Sequence, residues 1–247
     1  MKAMVLAAGL GTRLRPLTDD RPKALVEIEG RTLLEIALTR LRGFGIREVI
    51  VNVHHFADMV IEYLKARQNF GMRIEVSRED VLLDTGGGLK QAAWFFLEDS
   101  PERDRPFLLH NVDVLSTIDF AAMVQSHIAH QALATLAVQD RESSRSLLFD
   151  EQLELCGRRF EREDRTELAR PAQSLQALAF SGIHVISSRL LTLMTQEGPF
   201  SIIDAYLRLA ASGEKLIAFR ANGSYWRDLG TADSLQQAAE DLRTDLR

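Results

Sequence analysis

Cysteine is almost absent from this chain of 247 residues, in which Cys156 is the single example. One thiol cannot form a disulfide within the chain, and without neighbouring ligand residues it does not make a zinc site. Long apolar runs are absent as well, because no stretch approaches the roughly 18 residues that a membrane span requires. The short apolar start Met1–Leu6 soon meets glycine, so we interpret it as a first strand rather than a signal peptide. These absences predict a cytoplasmic protein that does not enter a membrane.

An excess of positive charge is also absent. The chain has 30 lysines and arginines against 35 aspartates and glutamates, which gives a formal net charge of −5. A general nucleic-acid binder would usually carry a basic face, so we expect no nucleic-acid partner. Basic residues are nevertheless concentrated near the N-terminus, where the segment Lys2–Lys23 contains five of them against two acidic residues. An acidic protein with one basic, glycine-bearing loop predicts a local anion-binding site.

The first 140 residues alternate between strand and helix patterns. Apolar, β-branched runs predict strands, and apolar residues at helical spacing predict the helices between them. This rhythm predicts an α/β fold: a single-domain, Rossmann-like, mostly parallel mixed sheet that is flanked by helices. The predicted strands are Lys2–Ala7, Val49–Val53, Arg73–Ser77, Phe107–His110 and Ala134–Val138, and the predicted helices are Thr32–Arg42, Ala57–Arg67, Gly87–Leu97 and Phe120–His130.

The pattern changes after Asp140. Residues from about 140 to 175 are rich in charge, and we interpret them as an embedded region with one hairpin and a solvated, mobile loop at Arg158–Arg165. The alternation then returns, so residues 1–247 are interpreted as one domain. The hairpin would pair Ser146–Phe149 with Leu153–Cys156, and the later elements are strands Ala177–Ile186, Leu216–Phe219 and Ser224–Trp226 and helices Ile202–Ala211 and Thr231–Leu242, with Thr231 as N-cap.

A glycine loop follows the first predicted strand. It contains Gly9, Gly11, Thr12 and Arg13. Glycines let the backbone bend and bring N–H groups close to a phosphate, and an arginine can bind an oxyanion with several donors. The Gly-x-Gly pair alone fits an ordinary tight turn at least as well. Leu14 stands where a dinucleotide-binding loop has its third glycine, and the ending of a P-loop is missing.

Three charged residues in separate segments could complete an anion site. Lys23 follows Pro22 and could bind a phosphoryl group, although most lysines simply lie at the surface. Asp113 follows the predicted strand Phe107–His110, where a carboxylate is well placed for Mg²⁺, but it could equally cap the following turn. Asp228 lies between aromatic residues and a helix start and has the same ordinary alternative. The more specific hypothesis is that Asp113 and Asp228 both bind one metal ion.

Taken together, these segments resemble a known family. The pattern Leu6-Ala7-Ala8-Gly9-x-Gly11-Thr12-Arg13-x-x-Pro16-Leu17-Thr18, followed by Pro22-Lys23-x-Leu25, resembles the signature of sugar-1-phosphate nucleotidyltransferases, also called NDP-sugar pyrophosphorylases. The resemblance runs nearly end to end. The short middle region is most similar to compact members, which transfer uridylyl to N-acetylmuramate 1-phosphate or guanylyl to mannose or heptose 1-phosphate. The further matches are Asp84-Thr85-Gly86-Gly87-Gly88, Asn111-Val112-Asp113, Phe180-Ser181-Gly182-Ile183 and Trp226-Arg227-Asp228-Leu229-Gly230-Thr231.

The resemblance implies that an NTP and a sugar 1-phosphate react to give an NDP-sugar and pyrophosphate, in a monomer or small homo-oligomer and with Mg²⁺ as cofactor. Arg13 would stabilise the leaving pyrophosphate, and Lys23 would contact the reacting phosphates. Asp113 and Asp228 would hold Mg²⁺. The implied nucleotide-binding residues are Leu6, Ala7, Ala8, Gly9, Gly11, Thr12, Arg13, Thr85 and Gly86, and the implied sugar-phosphate-binding residues are Asn111 and Gly182.

Some positions depart from the family pattern. Val112 stands where the family usually has glycine, which predicts a narrower pocket beneath the metal. Many members have a Glu or Gln three or four positions before the Asp84 equivalent that reads the base, but here Asp80 is followed by Val81, Leu82 and Leu83. The Glu-Lys-Pro sugar-binding motif of larger members has no match. The nucleoside and the sugar are therefore left open.

Two other classes of function remain possible at this point. A non-catalytic, nucleotide-sugar-binding regulatory homologue would keep the fold, although it would not need Arg13, Lys23, Asp113 and Asp228 together. A dinucleotide-dependent oxidoreductase is suggested only by the glycine loop, and the missing third glycine disfavours it.

Overall fold

A computed structural model describes residues 1–98 and 104–244 of the chain. Its centre is one large mixed β-sheet with helices packed on both faces, so the predicted α/β class and sheet type are confirmed. The strands are β1 Ala3–Leu6, β2 Glu27–Ile28, β3 Arg31–Thr32, β4 Glu48–Val53, β5 Arg73–Arg78, β6 Pro106–Asn111, β7 Val114–Ser116, β8 Ala134–Gln139, β9 Arg145–Phe149, β10 Leu155–Phe160, β11 Arg165–Leu168, β12 Gln176–Ser187, β13 Leu216–Arg220 and β14 Trp226–Asp228. The helices are α1 Leu33–Gly43, α2 Ala57–Ala66, α3 Asp84–Gln91, α4 Ala93–Leu97, α5 Phe120–Ala129, α6 Arg189–Leu193, α7 Ile202–Ala211 and α8 Ala232–Thr244.

The main sheet has the order β5-β4-β1-β6-β12-β8-β13. Strands β5, β4, β1 and β6 are mutually parallel, and β8 pairs parallel with β13. Strand β12 runs antiparallel between β6 and β8 and extends beyond them to pair with β9. The carboxyl ends of β1, β4 and β6 therefore meet at one edge of the sheet, where parallel α/β proteins bind ligands.

The strands are buried on both faces because their side chains alternate between two hydrophobic layers. In β1, Ala3 and Val5 contribute to one layer and Met4 to the other, and all three are fully buried. The first layer contains the apolar sides of α1, α2, α5 and α8, and the second contains those of α3, α4, α6 and α7. Among the described residues no helix is long and apolar enough to cross a membrane.

The glycine segment before the predicted helix Gly87–Leu97 behaves differently from the prediction. The structure has two helices there, and α3 begins earlier, at Asp84. Its glycines lie inside the helix because neighbouring groups come too close for a side chain. A Cβ on Gly87 would lie 2.6 Å from the carbonyl oxygen of Gly198, and one on Gly88 would lie 2.6 Å from Oε1 of Glu79.

The prediction of a mobile loop at Arg158–Arg165 is wrong. The expected hairpin is present as β9 and β10, but β10 continues to Phe160, and β11 follows it as a third antiparallel strand. Opposite charges on facing strands stabilise this extension. Arg158 Nε donates to Oε2 of Glu167 at 2.6 Å, and its Nη1 donates to Oδ1 of Asp204 at 2.6 Å.

The last predicted strand begins and ends two residues later in the structure than in the prediction. The strand expected at Ser224–Trp226 is β14, Trp226–Asp228, and it pairs antiparallel with the unpredicted short strand β7. Thr231 does cap the last helix, since its Oγ1 accepts from the backbone N–H of Ser234 and the Ser234 hydroxyl accepts in return from Thr231 N. The β7–β14 ribbon and this cap fix the position of Asp228.

Candidate active site

A cavity of about 410 Å³ lies at the carboxyl ends of β1, β4 and β6. The chain crosses from strand to loop there, so backbone N–H groups and polar side chains face the opening. Of the predicted site residues, Leu6, Ala8, Gly9, Lys23, Thr85, Asn111 and Asp113 line it. The remaining lining residues are Asn52, Leu82, Asp84, Val112 and Pro199. The predicted residues Ala7, Gly11, Thr12, Arg13, Gly86, Gly182 and Asp228 lie outside this lining.

The glycine loop forms one wall of the cavity. It leaves β1 with the backbone N–H of Ala7 donating to Asn52 Oδ1 at 2.8 Å. Gly11 has φ +65°, and a Cβ there would lie 3.0 Å from Cβ of Lys23 and from Cγ2 of Thr18. The Thr18 hydroxyl donates to the Gly11 carbonyl at 2.9 Å. Glycine at this position therefore lets the loop fold closely over Lys23.

An ion pair between Lys23 and Asp113 lies at the floor of the cavity. Their side chains are only 11% and 16% exposed, so water screens the pair less than it would at the surface. Lys23 begins a short 3-10 turn after the extended Pro22, and Asp113 lies two residues beyond the end of β6. The fold thus brings together two charged residues that the sequence separates widely.

The second aspartate is held beside the first by the β7–β14 ribbon. Asp228 faces Val114 across the ribbon, and the backbone N–H of Leu229 donates to the Asp113 carbonyl at 2.8 Å. Oδ1 of Asp228 accepts from the N–H of Gly230 at 2.8 Å and lies 3.9 Å from Nη2 of Arg13. A Cβ on Gly230 would lie 2.5 Å from that guanidinium nitrogen. Gly230 therefore allows Arg13 to approach Asp228.

The carboxylates of Asp113 and Asp228 fit a magnesium ion better than a closed metal centre. Among the described residues there is no group of three or more His, Cys, Asp or Glu side chains that could hold a metal. Mg²⁺ usually binds proteins through one or two carboxylates and takes its other ligands from water and substrate phosphates. Two neighbouring aspartates, one of them lining an open cavity, provide such a donor set.

Thr85 and Gly86 differ in their access to the cavity. Thr85 lines it, but its hydroxyl accepts from the backbone N–H of Ile202 at 2.9 Å. Gly86 packs beneath Phe200, and its backbone N–H donates to the Phe200 carbonyl at 2.9 Å. A Cβ on Gly86 would lie 2.4 Å from the Phe200 ring. These contacts join the start of α3 to α7 and fix the cavity wall formed by Asp84 and Thr85.

A buried polar network that the sequence analysis missed supports two walls of the cavity. Asn52 and Glu79 are each 2% exposed. Nδ2 of Asn52 donates to Oε1 of Glu79 at 2.7 Å, and Oε2 of Glu79 accepts from the N–H of Leu83 at 2.9 Å. With the Ala7–Asn52 bond, the network connects the glycine loop to the loop before α3. A polar residue inside the apolar strand of Asn52 is the signal that could have identified it.

Gly182 and Asn111 meet at the opposite side. The pairing of β12 shifts its register between Phe180 and His184, and Gly182 in that bulge has φ +72°. A Cβ on Gly182 would lie 2.9 Å from Nδ2 of Asn111. Val112, at the usual glycine position, is 5% exposed, and its N–H donates to the Leu6 carbonyl at 3.1 Å. The bulge therefore holds Asn111 against the cavity.

Two buried histidines, His110 and His184, are held neutral near pH 7 by their surroundings. Burial lowers the pKa of His110 to about 4, and the nearby charge of Arg40 acts in the same direction. Burial also lowers the pKa of His184 to about 3. His184 Nδ1 is 2.8 Å from the hydroxyl of Tyr206, which fixes its ring inside the sheet. Lys23 therefore provides positive charge in the cavity lining, and Arg13 provides it beside Asp228.

Residues 2–147 match the nucleotidyl transferase family. The chain is 37% identical to an N-acetylmuramate alpha-1-phosphate uridylyltransferase of Caulobacter vibrioides over 216 residues, which is 85% of each protein. It is 29% identical to a mannose-1-phosphate guanyltransferase of Yarrowia lipolytica, over 93% of this chain and 61% of that one.

Solved structures share the fold at lower identity. HddC from Yersinia pseudotuberculosis, complexed with GMP-PN, has a TM-score of 0.75 and 22% identity and covers 98% of this chain and 99% of its own. An inositol-1-phosphate CTP transferase from T. maritima has a TM-score of 0.72 and 19% identity, with 97% and 93% covered. Both structures therefore share the fold of this chain over nearly its whole length.

Proposed function

Because the chain belongs to the nucleotidyl transferase family and is a sugar-1-phosphate nucleotidyltransferase, we propose that it transfers a uridylyl group from UTP to N-acetylmuramate 1-phosphate with Mg²⁺ as cofactor. The Caulobacter vibrioides relative, with 37% identity over 85% of both proteins, supports this pair of substrates. The observation that carries the proposed chemistry is the pairing of Lys23 with Asp113 in the cavity, with Asp228 held beside Asp113 by the β7–β14 ribbon.

The proposed reaction needs positioning and charge rather than a strong base. The attacking oxygen belongs to a sugar phosphate that is already ionised, and the main obstacle is repulsion between two polyanions. Lys23 binds the reacting phosphates from the cavity floor, while the N–H groups of the glycine loop after Ala7 hold the triphosphate. Arg13, whose guanidinium reaches Asp228, stabilises the departing pyrophosphate.

Asp113 and Asp228 would hold the magnesium ion, which when bound supplies positive charge to the phosphate oxygens. The hydrogen bond from Gly230 N–H orients the Asp228 carboxylate, and the β7–β14 ribbon fixes its distance from Asp113. On the other side, Asn111 contacts the sugar phosphate, with Gly182 packed against its amide. Asp84 and Thr85 flank the nucleoside at the cavity wall.

Pyrophosphate release provides the test. The purified protein is incubated with Mg²⁺ and each of UTP, GTP, CTP, ATP and dTTP, against N-acetylmuramate, mannose, heptose and glucose 1-phosphates. We expect pyrophosphate only when a sugar 1-phosphate is present, and the highest kcat/KM with UTP and N-acetylmuramate 1-phosphate. Nucleotide-sugar binding without any turnover would instead identify a regulatory homologue, and a preference for GTP with mannose or heptose 1-phosphate would replace the substrates named here.

A further inference from the structure

A second cavity, of about 880 Å³, opens between the end of β8 and the β9–β10 hairpin. Its wall contains Arg141 and Arg162. It also contains the acidic residues Asp140, Glu142 and Glu161. Glu161 forms an ion pair with Arg159 at 3.2 Å, and Asp140 and Glu142 are exposed to solvent. Arg141, in contrast, is partly buried and faces the active-site side of this groove.

Contacts with Trp226 connect Arg141 to the active site. The guanidinium carbon lies 3.6 Å from the centroid of the Trp226 ring. Trp226 is two residues before Asp228 on β14, and its indole N–H donates to the Ser181 carbonyl at 2.8 Å, beside Gly182. Burial lowers the pKa of Arg141, and the nearby charge of Asp228 opposes part of that shift. Arg141 therefore lies where the second cavity meets the Asp228 end of the candidate active site.

Most of the hydrogen-bonding capacity of Arg141 is unused. Nη2 donates to the Phe180 carbonyl at 2.9 Å, whereas Nη1 reaches the Glu142 carbonyl only at 3.5 Å. Nε is buried and has no partner. Within residues 1–98 and 104–244, no carboxylate forms an ion pair with Arg141. Buried donors without partners are rare in folded proteins. The unused N–H groups of this partly buried arginine therefore indicate a binding site for an anion that comes from outside the chain.

We propose that Arg141 binds a carboxylate carried by the sugar of the substrate, so that the enzyme selects sugar 1-phosphates with this second anionic group. Stacking on an indole fixes the plane of a guanidinium and leaves N–H groups at its edge, which match the two oxygens of a carboxylate. The phosphate end of such a substrate lies at Asp113 and Asp228, and its acidic substituent extends toward the groove. This inference rests on the proposed nucleotidyl transfer and specifies its acceptor.

Two acceptors that differ in one substituent provide the experiment. N-acetylmuramate 1-phosphate is N-acetylglucosamine 1-phosphate with a lactyl ether on the ring, and that ether carries the carboxylate. The ratio of kcat/KM for the two acceptors is measured in the wild type, in Arg141→Gln and in Arg141→Lys. We expect the wild type to prefer the acidic sugar and Arg141→Gln to reduce the ratio by about 10- to 100-fold, the range for a lost hydrogen bond to a charged group. Arg141→Lys should recover part of it, because the charge remains but the paired donors do not.

Arg162→Gln is the matched control, since Arg162 lies in the same groove but is exposed to solvent. The ratio should change less than about two-fold in this variant. Thermal unfolding of every variant reports whether Arg141 only supports the fold through Trp226. A wild type that prefers the neutral acceptor, or an Arg141→Gln variant that loses both activities equally, overturns the assignment of Arg141 while nucleotidyl transfer stands. A wild type without turnover on either acceptor contradicts the proposed function itself.

Discussion

Lys23 is the residue on which the proposed electrostatics depend most, because its ammonium lies at the cavity floor and its side chain is shielded from solvent. Replacement by alanine removes a positive charge that attracts both substrates, the NTP and the sugar 1-phosphate, because both are anions. We expect Lys23→Ala to lower kcat by a factor of about 10²–10³, as for other well-placed electrostatic groups. Steady-state pyrophosphate release measures this loss.

The control for this change is Lys65→Ala, which removes an equal charge from the exposed surface of α2. Its turnover should remain close to that of the wild type. Arg13→Ala should resemble Lys23→Ala in size, because its guanidinium is 3.9 Å from the Asp228 carboxylate. Near-normal turnover in both Lys23→Ala and Arg13→Ala would remove these residues from the mechanism.

Asp228 offers a test of the metal site that does not depend on turnover alone. Its side chain is 43% exposed and its carboxylate is oriented by Gly230, so Asp228→Asn should preserve the fold while weakening the cation site. We expect a higher Mg²⁺ concentration at half-maximal activity and weaker Mn²⁺ binding in the presence of a non-hydrolysable NTP. Asp58→Asn, at an aspartate with 73% side-chain exposure on α2, is the control. Identical metal titrations for Asp228→Asn and the wild type would exclude Asp228 as a ligand.

At the scale of elements, the docking of α3 against α7 depends on Gly86. A Cβ there would lie 2.4 Å from the Phe200 ring and 2.9 Å from the Phe200 carbonyl. Gly86→Ala should therefore reduce the free energy of unfolding by about 1–3 kcal/mol, the usual cost of overpacking. Urea denaturation followed by circular dichroism measures it.

Gly43 provides the comparison, since it lies in helix α1 and a Cβ there would have no neighbour within 4 Å. Gly43→Ala should leave stability unchanged or raise it by up to about 1 kcal/mol, because alanine favours helix. Equal stability of the two alanine variants would show that the Gly86–Phe200 contact does not constrain α3.

The sequence could predict the large elements and the residues of the family signature, but not the short elements that position them. Strand β7 was missed and β14 was predicted two residues too early, because three residues are too few for any periodicity and each strand is defined by its pairing with the other. Strand β11 was missed because its charged residues are typical of solvent-exposed loops, and its stability comes from ion pairs with β10. Glu79 was missed because its function is defined by Asn52 and Leu83, contacts that only the folded chain creates.

At the scale of the whole molecule, three buried histidines on β6, β12 and α5 must stay neutral in the folded protein. His110, His127 and His184 are each 4% exposed or less, and burial lowers their pKa values to about 4, 4 and 3. In the unfolded chain a histidine has a pKa of about 6.5, so below that pH the unfolded state binds more protons. Stability should therefore be full above about pH 7 and decrease as the pH falls toward 5.

Each of these histidines should contribute up to about 1.4 kcal/mol per pH unit to that decrease. Urea unfolding at pH 5.0, 5.5, 6.0 and 7.5 measures the slope. His127→Gln, which removes one buried imidazole while keeping a polar partner for Thr135, should reduce the slope, and His130→Gln, at an exposed position, should not. A slope that His127→Gln leaves unchanged would contradict a buried neutral His127.

The pairing of Lys23 with Asp113 gives the cation of the proposed mechanism a counterion within the protein before any substrate binds. In the proposed mechanism Asp113 would hold the metal ion and Lys23 would bind phosphate, so binding of both substrates would replace this ion pair with two new ones. The reorganisation is limited to two side chains on fixed backbones, so the empty and loaded forms of the protein should share one backbone conformation at the cavity floor.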